Sequence, residues 1–387
     1  MKQQKRNTNV KKQTKKIRQT IRHAGFHEEF IRGGTKGSTG SNEPTISEPP
    51  TPFCEKFKDI TPQITEPYEL GKVLGKGGFG SVYEITMNGQ KYAAKHIRSN
   101  TKDKHIKKII DETKILQAIS NKCKDPGFVV CFEGIICEND KNTIYIITEL
   151  LDTNYVEMKK YIKKDELEDL LFNIQSALSG TISTTGKNET VENISVENVY
   201  NIIHSLCSGL ISIHDSNIAH RDIKPANIKV NTIDSTIKYL DFGLSTKVDK
   251  DGNFEFGQPF DKLTGTVGYI DPLYHVGEPQ DFEKIKNYDY FSLGIVIFEL
   301  IVKHLKQTDK KFKTNDLYTP YDCVKKGAYK EGFYDNIKFL KEPKIKKVIN
   351  HYNNEIKTLT PPNLYSVDLI QLLTPSDKRA DGFIPPQ

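Results

Sequence analysis

The sequence His-Arg-Asp-Ile-Lys-Pro-Ala-Asn at 220–227 is followed, after a short interval, by Asp-Phe-Gly at 241–243. The first stretch holds a carboxylate (Asp222), an ammonium (Lys224) and an amide (Asn227), and the second adds another carboxylate. Phosphoryl transfer needs a group that orients the attacking hydroxyl, a cation near the phosphate and oxygen ligands for Mg²⁺. Since few other reactions use this set of groups in this order, the two stretches indicate phosphoryl-transfer chemistry.

A glycine-rich stretch lies upstream, where residues 75–80 read Gly-Lys-Gly-Gly-Phe-Gly. Apolar and polar residues alternate on both sides of it, and this pattern predicts two strands joined by a turn. Asn88 and Gly89 then predict a tight hairpin between the second strand and a third, which ends at Lys95. In dinucleotide-binding folds the same glycine spacing opens a helix, whereas no helix follows it here. The loop is therefore better suited to lie over phosphates with its backbone.

This order of motifs closely resembles that of the eukaryotic-type serine/threonine protein kinases. The resemblance implies an α+β fold of two lobes: a small β-rich lobe with one main helix, and a larger, mainly α-helical lobe. We expect a basic, flexible tail and linker at 1–66 and a protein kinase domain at 67–383. Within that domain the small lobe would span 67–149 and the large lobe 150–383, with an inserted loop at about 179–194.

Local patterns add further elements to this outline. The spacing of isoleucine and leucine at 102–119 predicts a helix, and apolar runs at 128–136 and 143–149 predict strands. Helices are also expected at 155–178 and 196–216, the second of which would lead into the catalytic loop.

The resemblance implies ATP as the phosphoryl donor and Mg²⁺ as the cofactor. Lys95 would contact the α- and β-phosphates and form an ion pair with Glu112 on the helix at 102–119, with Asp111 as the nearest rival for that role. Thr148 would control access behind the adenine pocket. By this resemblance, the ATP-binding residues are Leu74, Gly75, Lys76, Gly77, Gly78, Phe79, Gly80, Ser81, Val82, Ala93, Lys95, Glu112, Thr148, Glu149 and Leu151.

Five residues carry the chemistry that the resemblance implies. Asp222 would orient the substrate hydroxyl or accept its proton, and Lys224 would stabilise charge on the transferring phosphate. Asn227 and Asp241 would hold Mg²⁺, which prefers oxygen ligands. Lys224 itself, and a hydrogen bond from Thr266 toward Asp222, are marks of the serine/threonine class. The expected partners are therefore protein substrates that carry Ser or Thr.

Other residues of these motifs would support the catalytic loop. In the family, the positions of His220 and Phe242 pack in an internal apolar column, which Leu116 would join. Asp289 opens a strongly apolar helix and would support the loop from inside the large lobe. We expect these residues to have structural and coupling roles.

The activation segment follows the metal-binding motif. In the family, the arginine at the position of Arg221 commonly binds a phosphate on this segment. Candidate phosphoacceptors are Ser245, Thr246 and Thr264. A further hypothesis is that the charge of Asp261 partly substitutes for the phosphate, the alternative being that it is a solvated loop carboxylate.

The chain departs from the family pattern in its last part. Leu273 stands where the family has a glutamate that pairs with a buried arginine, and Arg379 lies in the segment that resembles the one bearing that arginine. A buried arginine without its partner would cost about 3–5 kcal/mol. Either Arg379 is exposed, or a nearby carboxylate such as Glu278 or Asp281 serves. The chain ends eight residues after Arg379, which suggests that the family's last helix is missing.

Positive charge is concentrated at the start of the chain. Of 387 residues, 56 are Lys or Arg and 50 are Asp or Glu, and residues 1–50 hold 11 of the former and 4 of the latter. This segment predicts plain disorder, or an arm that contacts a polyanion or serves nuclear import. The N-terminus lacks the apolar core of a secretory signal. The apolar stretch near 293–302 is short and contains a glutamate, so we expect a buried helix and no membrane span.

The six cysteines show no CxxC pair and no paired spacing. This pattern suggests reduced thiols, and hence an intracellular protein of the cytoplasm or nucleus. Isoleucine, lysine and asparagine are abundant and tryptophan is absent. Such a composition is typical of an AT-rich genome, for example that of a protist or a large DNA virus, and for a virus the compartment would be in the host cell.

Two alternatives to an active protein kinase stay open. A small-molecule kinase of the aminoglycoside type shares a base and metal acids, but lacks the glycine-rich loop and the Gly-Thr segment found here at 265–266. A pseudokinase scaffold would bind nucleotide and partners without efficient catalysis. The intact Lys95, Asp222 and Asp241 count against the scaffold, while Leu273 counts slightly for it.

Overall fold

The computed structural model describes several stretches of the chain, all within the unit Thr51–Gln387. These are residues 52–77, 80–98, 103–124, 127–160, 195–260, 264–266, 268–271, 281–309, 311–312, 343–356 and 368–374. Features named above that lie outside the described residues are the tail at 1–51, Gly78, Phe79, the greater part of the helix expected at 155–178, the inserted loop at 179–194, Asp261, Leu273, Glu278 and Arg379, together with one of the six cysteines, Cys323.

An antiparallel sheet of five strands forms the first part of the described chain. Its strands are β1 (Tyr68–Gly77), β2 (Gly80–Met87), β3 (Gln90–Arg98), β4 (Phe132–Glu138) and β5 (Thr143–Glu149), in the order β1-β2-β3-β5-β4. Asn88 and Gly89 join β2 to β3 with positive φ angles of 50° and 77°. The hairpin predicted from this dipeptide is therefore confirmed. β1 and β4 are the two edges of the sheet.

Helix α1 (Asp103–Ile119) connects β3 to β4 and confirms the helix predicted at 102–119. Ile106, Ile109 and Leu116 recur at helical spacing and are buried in the main apolar cluster. Glu112 lies on the same helix and is only 8% exposed. Because a buried carboxylate is costly unless it is paired, its position requires a cation close by.

Residues 53–64 pack against the edge strand β4, whereas the sequence analysis assigned them to a flexible tail. Three apolar side chains of this segment are buried: Phe53, Phe57 and Ile60. The Ile64 N–H donates to the Ile135 carbonyl at 2.8 Å, and the Ile135 N–H donates to the Pro62 carbonyl at 3.0 Å. The few apolar residues of this segment lie among prolines, threonines and charged residues, and such a composition is typical of a linker. The residues that it packs against are distant in the sequence, so the local pattern does not predict the packing.

The second part of the described chain is mainly helical. Its helices are α2 (Val196–His214), α3 (Phe282–Thr308), α4 (Pro343–His351) and α5 (Leu369–Leu373), with a π-helical turn at Tyr352–Ile356. Helix α3 is buried at almost every position from 289 to 301 and contacts the other three helices. Among the described residues, no helix has the length and apolar character needed to cross a membrane.

The second part also contains short strands, two of which flank the loop at 220–227. One small sheet holds β6 (Tyr155–Glu157), β8 (Ile228–Asn231) and β9 (Ile237–Tyr239), and another holds β7 (Ile218–Ala219), β10 (Thr246–Val248) and β11 (Phe254–Gly257). A β-rich first part and a helical second part together confirm the predicted α+β fold.

The helix predicted at 155–178 is wrong for its first six residues. Tyr155–Glu157 is strand β6, which pairs with β8, and Met158–Lys160 is a 3-10 turn. Pairing with a strand more than 70 residues away overrides a local pattern that favours a helix.

The expectation of reduced thiols is wrong for four of the cysteines. Cys54 forms a disulfide with Cys137, and Cys123 forms one with Cys131. Cys207 is a free, buried thiol, and burial raises its pKa. The partners are 83 and 8 residues apart, and the first pair meets only because segment 53–64 packs on β4. Sequence spacing carries no sign of such a contact.

Candidate active site

Lys95 on β3 lies between two carboxylates. Its Nζ is 2.5 Å from Glu112 Oε1 on α1 and 3.1 Å from Asp241 Oδ1. Asp111, the rival considered for the first contact, instead pairs with the exposed Lys107 at 2.9 Å. The structure therefore brings together three side chains that are far apart in the sequence and that the resemblance assigned to nucleotide and metal binding.

Electrostatic contacts fix the charge states of this cluster. Burial by itself would lower the pKa of Lys95, but the carboxylates of Glu112 and Asp241 outweigh it and raise this pKa above its ordinary value. Burial acts to raise the pKa of Asp241, yet the charge and hydrogen bond of Lys95 bring it below its ordinary value. At neutral pH, Lys95 is thus a stable cation and Asp241 a stable anion.

Asp222 is the centre of a second polar network, on the loop after β7. It is 4% exposed, its Oδ2 accepts from Lys224 Nζ at 2.7 Å, and its Oδ1 accepts from Thr266 Oγ1 at 2.6 Å. Lys224 Nζ also donates to Thr266 Oγ1 at 2.7 Å. The three side chains close a triangle, which fixes the carboxylate against both a cation and a hydroxyl donor.

Asn227 is oriented by the same carboxylate. Its Nδ2 donates to the Asp222 carbonyl at 2.9 Å and to Asp222 Oδ2 at 3.0 Å. Because the amide nitrogen is committed in this way, the amide oxygen is the group available to a cation. Asp241 likewise keeps a second carboxylate oxygen beyond the one that meets Lys95. Two hard oxygen donors of this kind suit Mg²⁺.

Buried Asp289 holds the catalytic loop from within helix α3. Its Oδ2 accepts from the His220 N–H, and its Oδ1 accepts from the Arg221 N–H, both at 2.7 Å. Oδ2 also lies 3.0 Å from His214 Nε2. Arg221 has a φ of 66°, a left-handed conformation that is unusual for this residue type. The buried carboxylate of Asp289, both of whose oxygens accept hydrogen bonds from the loop, stabilises that conformation.

His220 links the loop to the metal-binding motif. Its Nε2 lies 3.0 Å from the Leu240 carbonyl, and its Nδ1 accepts from the Asp222 N–H at 3.2 Å, so the proton belongs on Nε2. The ring of His220 stands 4.9 Å from that of Phe242 between centroids. Phe242 and Leu116 are both buried in the main apolar cluster, and the contact between the His220 and Phe242 rings is one step of the expected column.

The described residues of the glycine-rich stretch lie at the end of the β1–β2 pairing. Register pairs Gly75 with Val82, Lys76 with Ser81 and Gly77 with Gly80. Gly80 has a φ of 143°, and any Cβ there would collide with the His96 carbonyl.

The register of the next strands brings several of the expected ATP-binding residues together. Val82 stands opposite Lys95, and Ala93 stands opposite Thr148 on β5. Val82, Ala93 and Thr148 are half-buried, and Leu74 on β1 is 40% exposed. The small side chain of Ala93 leaves room on this face of the sheet, as an aromatic ligand would need.

The C-terminal end of β5 is anchored by Lys238, a residue for which the sequence predicts no role. Buried Lys238 on β9 donates to Glu149 Oε1 at 2.8 Å, to the Cys123 carbonyl at 3.1 Å and to the Val129 carbonyl at 3.0 Å. Glu149 Oε1 also accepts from the Cys131 N–H at 2.9 Å. Oε1 of Glu149 is thus held by protein partners, and the Glu149 N–H donates to the Cys131 carbonyl at 2.9 Å.

The guanidinium of Arg221 already donates hydrogen bonds to the described part of the activation segment, so it is not available there for a phosphate. Its Nη1 donates to Thr246 Oγ1 and to the Gln258 carbonyl, both at 2.7 Å. Ser245 and Thr246, two of the expected phosphoacceptors, are 1% and 0% exposed. As phosphoacceptors in this conformation they are wrong, because their hydroxyls are inaccessible. The third, Thr264, is half-buried as a residue, but its hydroxyl oxygen is buried and has no hydrogen-bond partner among the described residues.

Asp281 was one of two alternative partners considered for Arg379. Its side chain accepts from the Lys284 N–H at 2.8 Å and caps the N-terminus of helix α3. This carboxylate therefore has a local structural role. The other candidate, Glu278, and Arg379 itself are not among the described residues.

Comparison with known proteins identifies the family of this chain. The family described as the protein kinase domain matches residues 68–359. The serine/threonine-protein kinase PLK of Dictyostelium discoideum is 27% identical over 345 residues, which is 86% of this chain and 28% of that protein. The interferon-induced, double-stranded RNA-activated protein kinase of Rattus norvegicus is 27% identical over 289 residues, 73% of this chain and 47% of the relative. This chain thus spans less than half the length of both relatives.

Proposed function

Since this chain belongs to the protein kinase family, we propose that it transfers the γ-phosphoryl group of Mg²⁺-ATP to serine and threonine hydroxyls of protein substrates. The observation that carries the proposal is the triangle of Asp222, Lys224 and Thr266, in which each side chain lies within 2.7 Å of the other two. It supports a site that holds a hydroxyl, a carboxylate and a cation in contact, as phosphoryl transfer to an alcohol requires.

Asp222 would act on the incoming hydroxyl. Its Oδ2 accepts from Lys224 and Asn227, whereas Oδ1 accepts from Thr266 and retains a lone pair for a further donor. A substrate hydroxyl bound there would be turned with its oxygen toward the phosphate, and Asp222 would receive the proton as the new bond forms. A positioned base of this kind contributes about 10²–10⁴-fold.

Two cationic side chains would stabilise negative charge on the phosphates. Lys95, held by Glu112 and Asp241, is fixed at the sheet, and Lys224 is fixed beside Asp222. The oxygens of Asn227 and Asp241 would hold Mg²⁺, which when bound neutralises charge on the phosphates. Since both cations are already held by protein partners, little reorganisation is needed when charge develops.

The test measures transfer of the labelled γ-phosphate of ATP to the protein itself and to a generic basic protein, followed by phosphoamino-acid analysis. We expect phosphoserine or phosphothreonine, and a decrease of about 10²–10⁴-fold in Asp222→Asn. Asp215→Asn is the matched control, because Asp215 is an exposed carboxylate just after helix α2. Phosphotyrosine alone would contradict the proposed class of acceptor.

The same experiment separates the alternatives. Binding of ATP without transfer would favour a scaffold that lacks efficient catalysis. Transfer to an aminoglycoside but to no protein would favour a small-molecule kinase. A decrease in Asp215→Asn as large as that in Asp222→Asn would show that loss of charge, and not loss of the base, is being measured.

A further inference from the structure

Residues 52–64, here called the clamp segment, bridge the edge strand β4 and helix α1. On the β4 side, Ile64 and Pro62 exchange main-chain hydrogen bonds with Ile135, and the Cys54 N–H donates to Asn139 Oδ1 at 2.8 Å. Gly134 on β4 has a φ of 143°, and a Cβ there would lie 2.6 Å from the Pro62 carbonyl oxygen. The close approach of the clamp segment therefore depends on a glycine in the strand.

The clamp segment also contacts the helix that carries Glu112. Gln117 Nε2 on α1 donates to Thr61 Oγ1 at 3.0 Å. Three clamp side chains belong to the same buried apolar cluster as α1: Phe53, Phe57 and Ile60. Glu112 lies five residues before Gln117 and reaches Lys95 at 2.5 Å. A shift of α1 away from the sheet would separate this ion pair, so whatever fixes α1 also fixes Lys95.

A disulfide joins the clamp segment to β4 covalently. Cys54 and Cys137 are each only half-buried, whereas Cys123 and Cys131 of the second disulfide are both 8% exposed. The loop between Cys123 and Cys131 is held independently, because Lys238 donates to two of its carbonyls. A reductant in solution therefore reaches the Cys54–Cys137 bond more readily, and that bond joins segments 83 residues apart.

We propose that the clamp segment is a positioning element for Glu112, and that the Cys54–Cys137 disulfide is a redox-sensitive latch on it. In reduction by a dithiol, two thiolates attack in turn and the sulfur–sulfur bond breaks. Cys54 and Cys137 gain two electrons and two protons and become thiols, while the dithiol closes to its own disulfide. The freed clamp segment holds α1 less tightly, and the Lys95–Glu112 pair opens more often. This inference rests on the proposed kinase function.

The experiment compares oxidised and dithiothreitol-treated full-length protein in steady-state kinase assays. Peptide mapping after alkylation reports which disulfide is open. Opening of Cys54–Cys137 should lower kcat and raise the KM for ATP, together by about fivefold or more in kcat/KM, and reoxidation should restore both. A merely structural role would reduce the amount of active enzyme and leave KM unchanged. The change in KM is therefore the decisive reading.

Variants assign the effect to one disulfide. The Cys54→Ser/Cys137→Ser protein should show the reduced-state constants with or without dithiothreitol. Cys123→Ser/Cys131→Ser is the matched control and should keep the response. Equal constants in oxidised and reduced wild-type protein, with the Cys54–Cys137 bond shown to have opened, would overturn the proposal. So would a full response in the Cys54→Ser/Cys137→Ser protein, or alkylation of Cys54 and Cys137 as free thiols under oxidising conditions.

Hydrogen exchange of helix α1 keeps this inference separate from the proposed function. Reduction should increase exchange in α1 and in the clamp segment, whether or not the protein transfers phosphate. Gly134→Ala, which crowds Pro62 without touching a cysteine, should increase exchange in the same two places. An inactive protein with this exchange pattern would contradict the kinase assignment alone. An active one with unchanged exchange on reduction would contradict the latch alone.

Discussion

The buried carboxylate of Asp289 accepts the main-chain N–H of Arg221 at 2.7 Å, at the one residue of the catalytic loop whose φ of 66° is left-handed. A non-glycine residue in this region costs about 1–3 kcal/mol and persists only where surrounding contacts enforce it. The conformation directly precedes Asp222. The shape of the loop, and hence the direction of the Asp222 carboxylate, therefore depends on a side chain 68 residues away from Arg221.

Asp289→Asn should destabilise the protein and slow catalysis. The amide offers one acceptor where the carboxylate offers two, so one loop N–H would face an NH₂ group. We expect a loss of about 1–3 kcal/mol for the unsatisfied donor, and a decrease in kcat of up to about 10²-fold as Asp222 moves. Denaturant unfolding and steady-state kinetics check this. Unchanged kcat in a variant that loses stability would mean that Asp289 supports the lobe without orienting the base.

Lys95→Met should abolish most activity and also lower stability. Without the ammonium, Glu112 and Asp241 face each other as partly buried carboxylates, and we expect a cost of up to about 3 kcal/mol at pH 7. The transition state loses a fixed cation, which should lower kcat/KM by about 10²–10³-fold. Lys91→Met is the matched control on the same strand, since Lys91 is 59% exposed and pairs with Glu84 at the surface. A similar loss in both variants would contradict a special role for Lys95.

The parts of the site that the sequence predicts are those encoded in short stretches. Asp222, Lys224 and Asn227 lie within one loop, so their chemistry and mutual contact follow from adjacency. The hairpin at 88–89 follows from the backbone preference of two residues. Helix α1 follows from its apolar period and agrees with the prediction to within one residue.

The parts that the sequence does not reveal depend on distant contacts. Nothing near Lys238 marks it as the cation that holds Glu149, because its three acceptors come from segments 89 to 115 residues earlier. The clamp segment and the Cys54–Cys137 disulfide likewise need β4 as a partner. Arg221 was expected to await a phosphate, and only the fold shows that backbone carbonyls occupy it. Local patterns predict local structure, whereas such pairings arise from the whole chain.

Lys238→Met should weaken nucleotide binding more than it slows the chemical step. Its loss removes the Lys238 donor from the Cys123 and Val129 carbonyls and leaves the Glu149 side chain held by the Cys131 N–H without its cation. We expect about 1–3 kcal/mol of destabilisation and a higher KM for ATP with a smaller change in kcat. Lys141→Met, which removes an exposed ion pair with Glu138, is the control. An unchanged KM for ATP would show that Lys238 has no part in shaping the nucleotide side.

Stability should fall with pH below about 6.5, the ordinary pKa of histidine, because of a buried pair in the helical part. His304 Nδ1 on α3 lies 2.9 Å from His351 Nε2 on α4, and His351 Nδ1 lies 3.0 Å from Glu355. Burial first, and then the neighbouring His351, lower the pKa of His304, while Glu355 acts in the opposite sense. The unfolded chain therefore binds a proton at a higher pH than the folded protein. The stability contributed by neutral His304 is complete above the unfolded pKa and is lost as pH falls toward the folded one.

Urea unfolding of wild-type protein and of His304→Gln at pH 7.5 and 5.5 tests this argument. The two values lie on either side of the unfolded histidine pKa of about 6.5 and above the range in which aspartates with lowered pKa, such as Asp309, begin to contribute. We expect wild-type stability to fall between them and the variant to show a smaller fall, since glutamine keeps a hydrogen-bonding group but cannot be protonated. If both proteins lose the same free energy, the dependence arises from other histidines, and the α3–α4 contact does not sense pH.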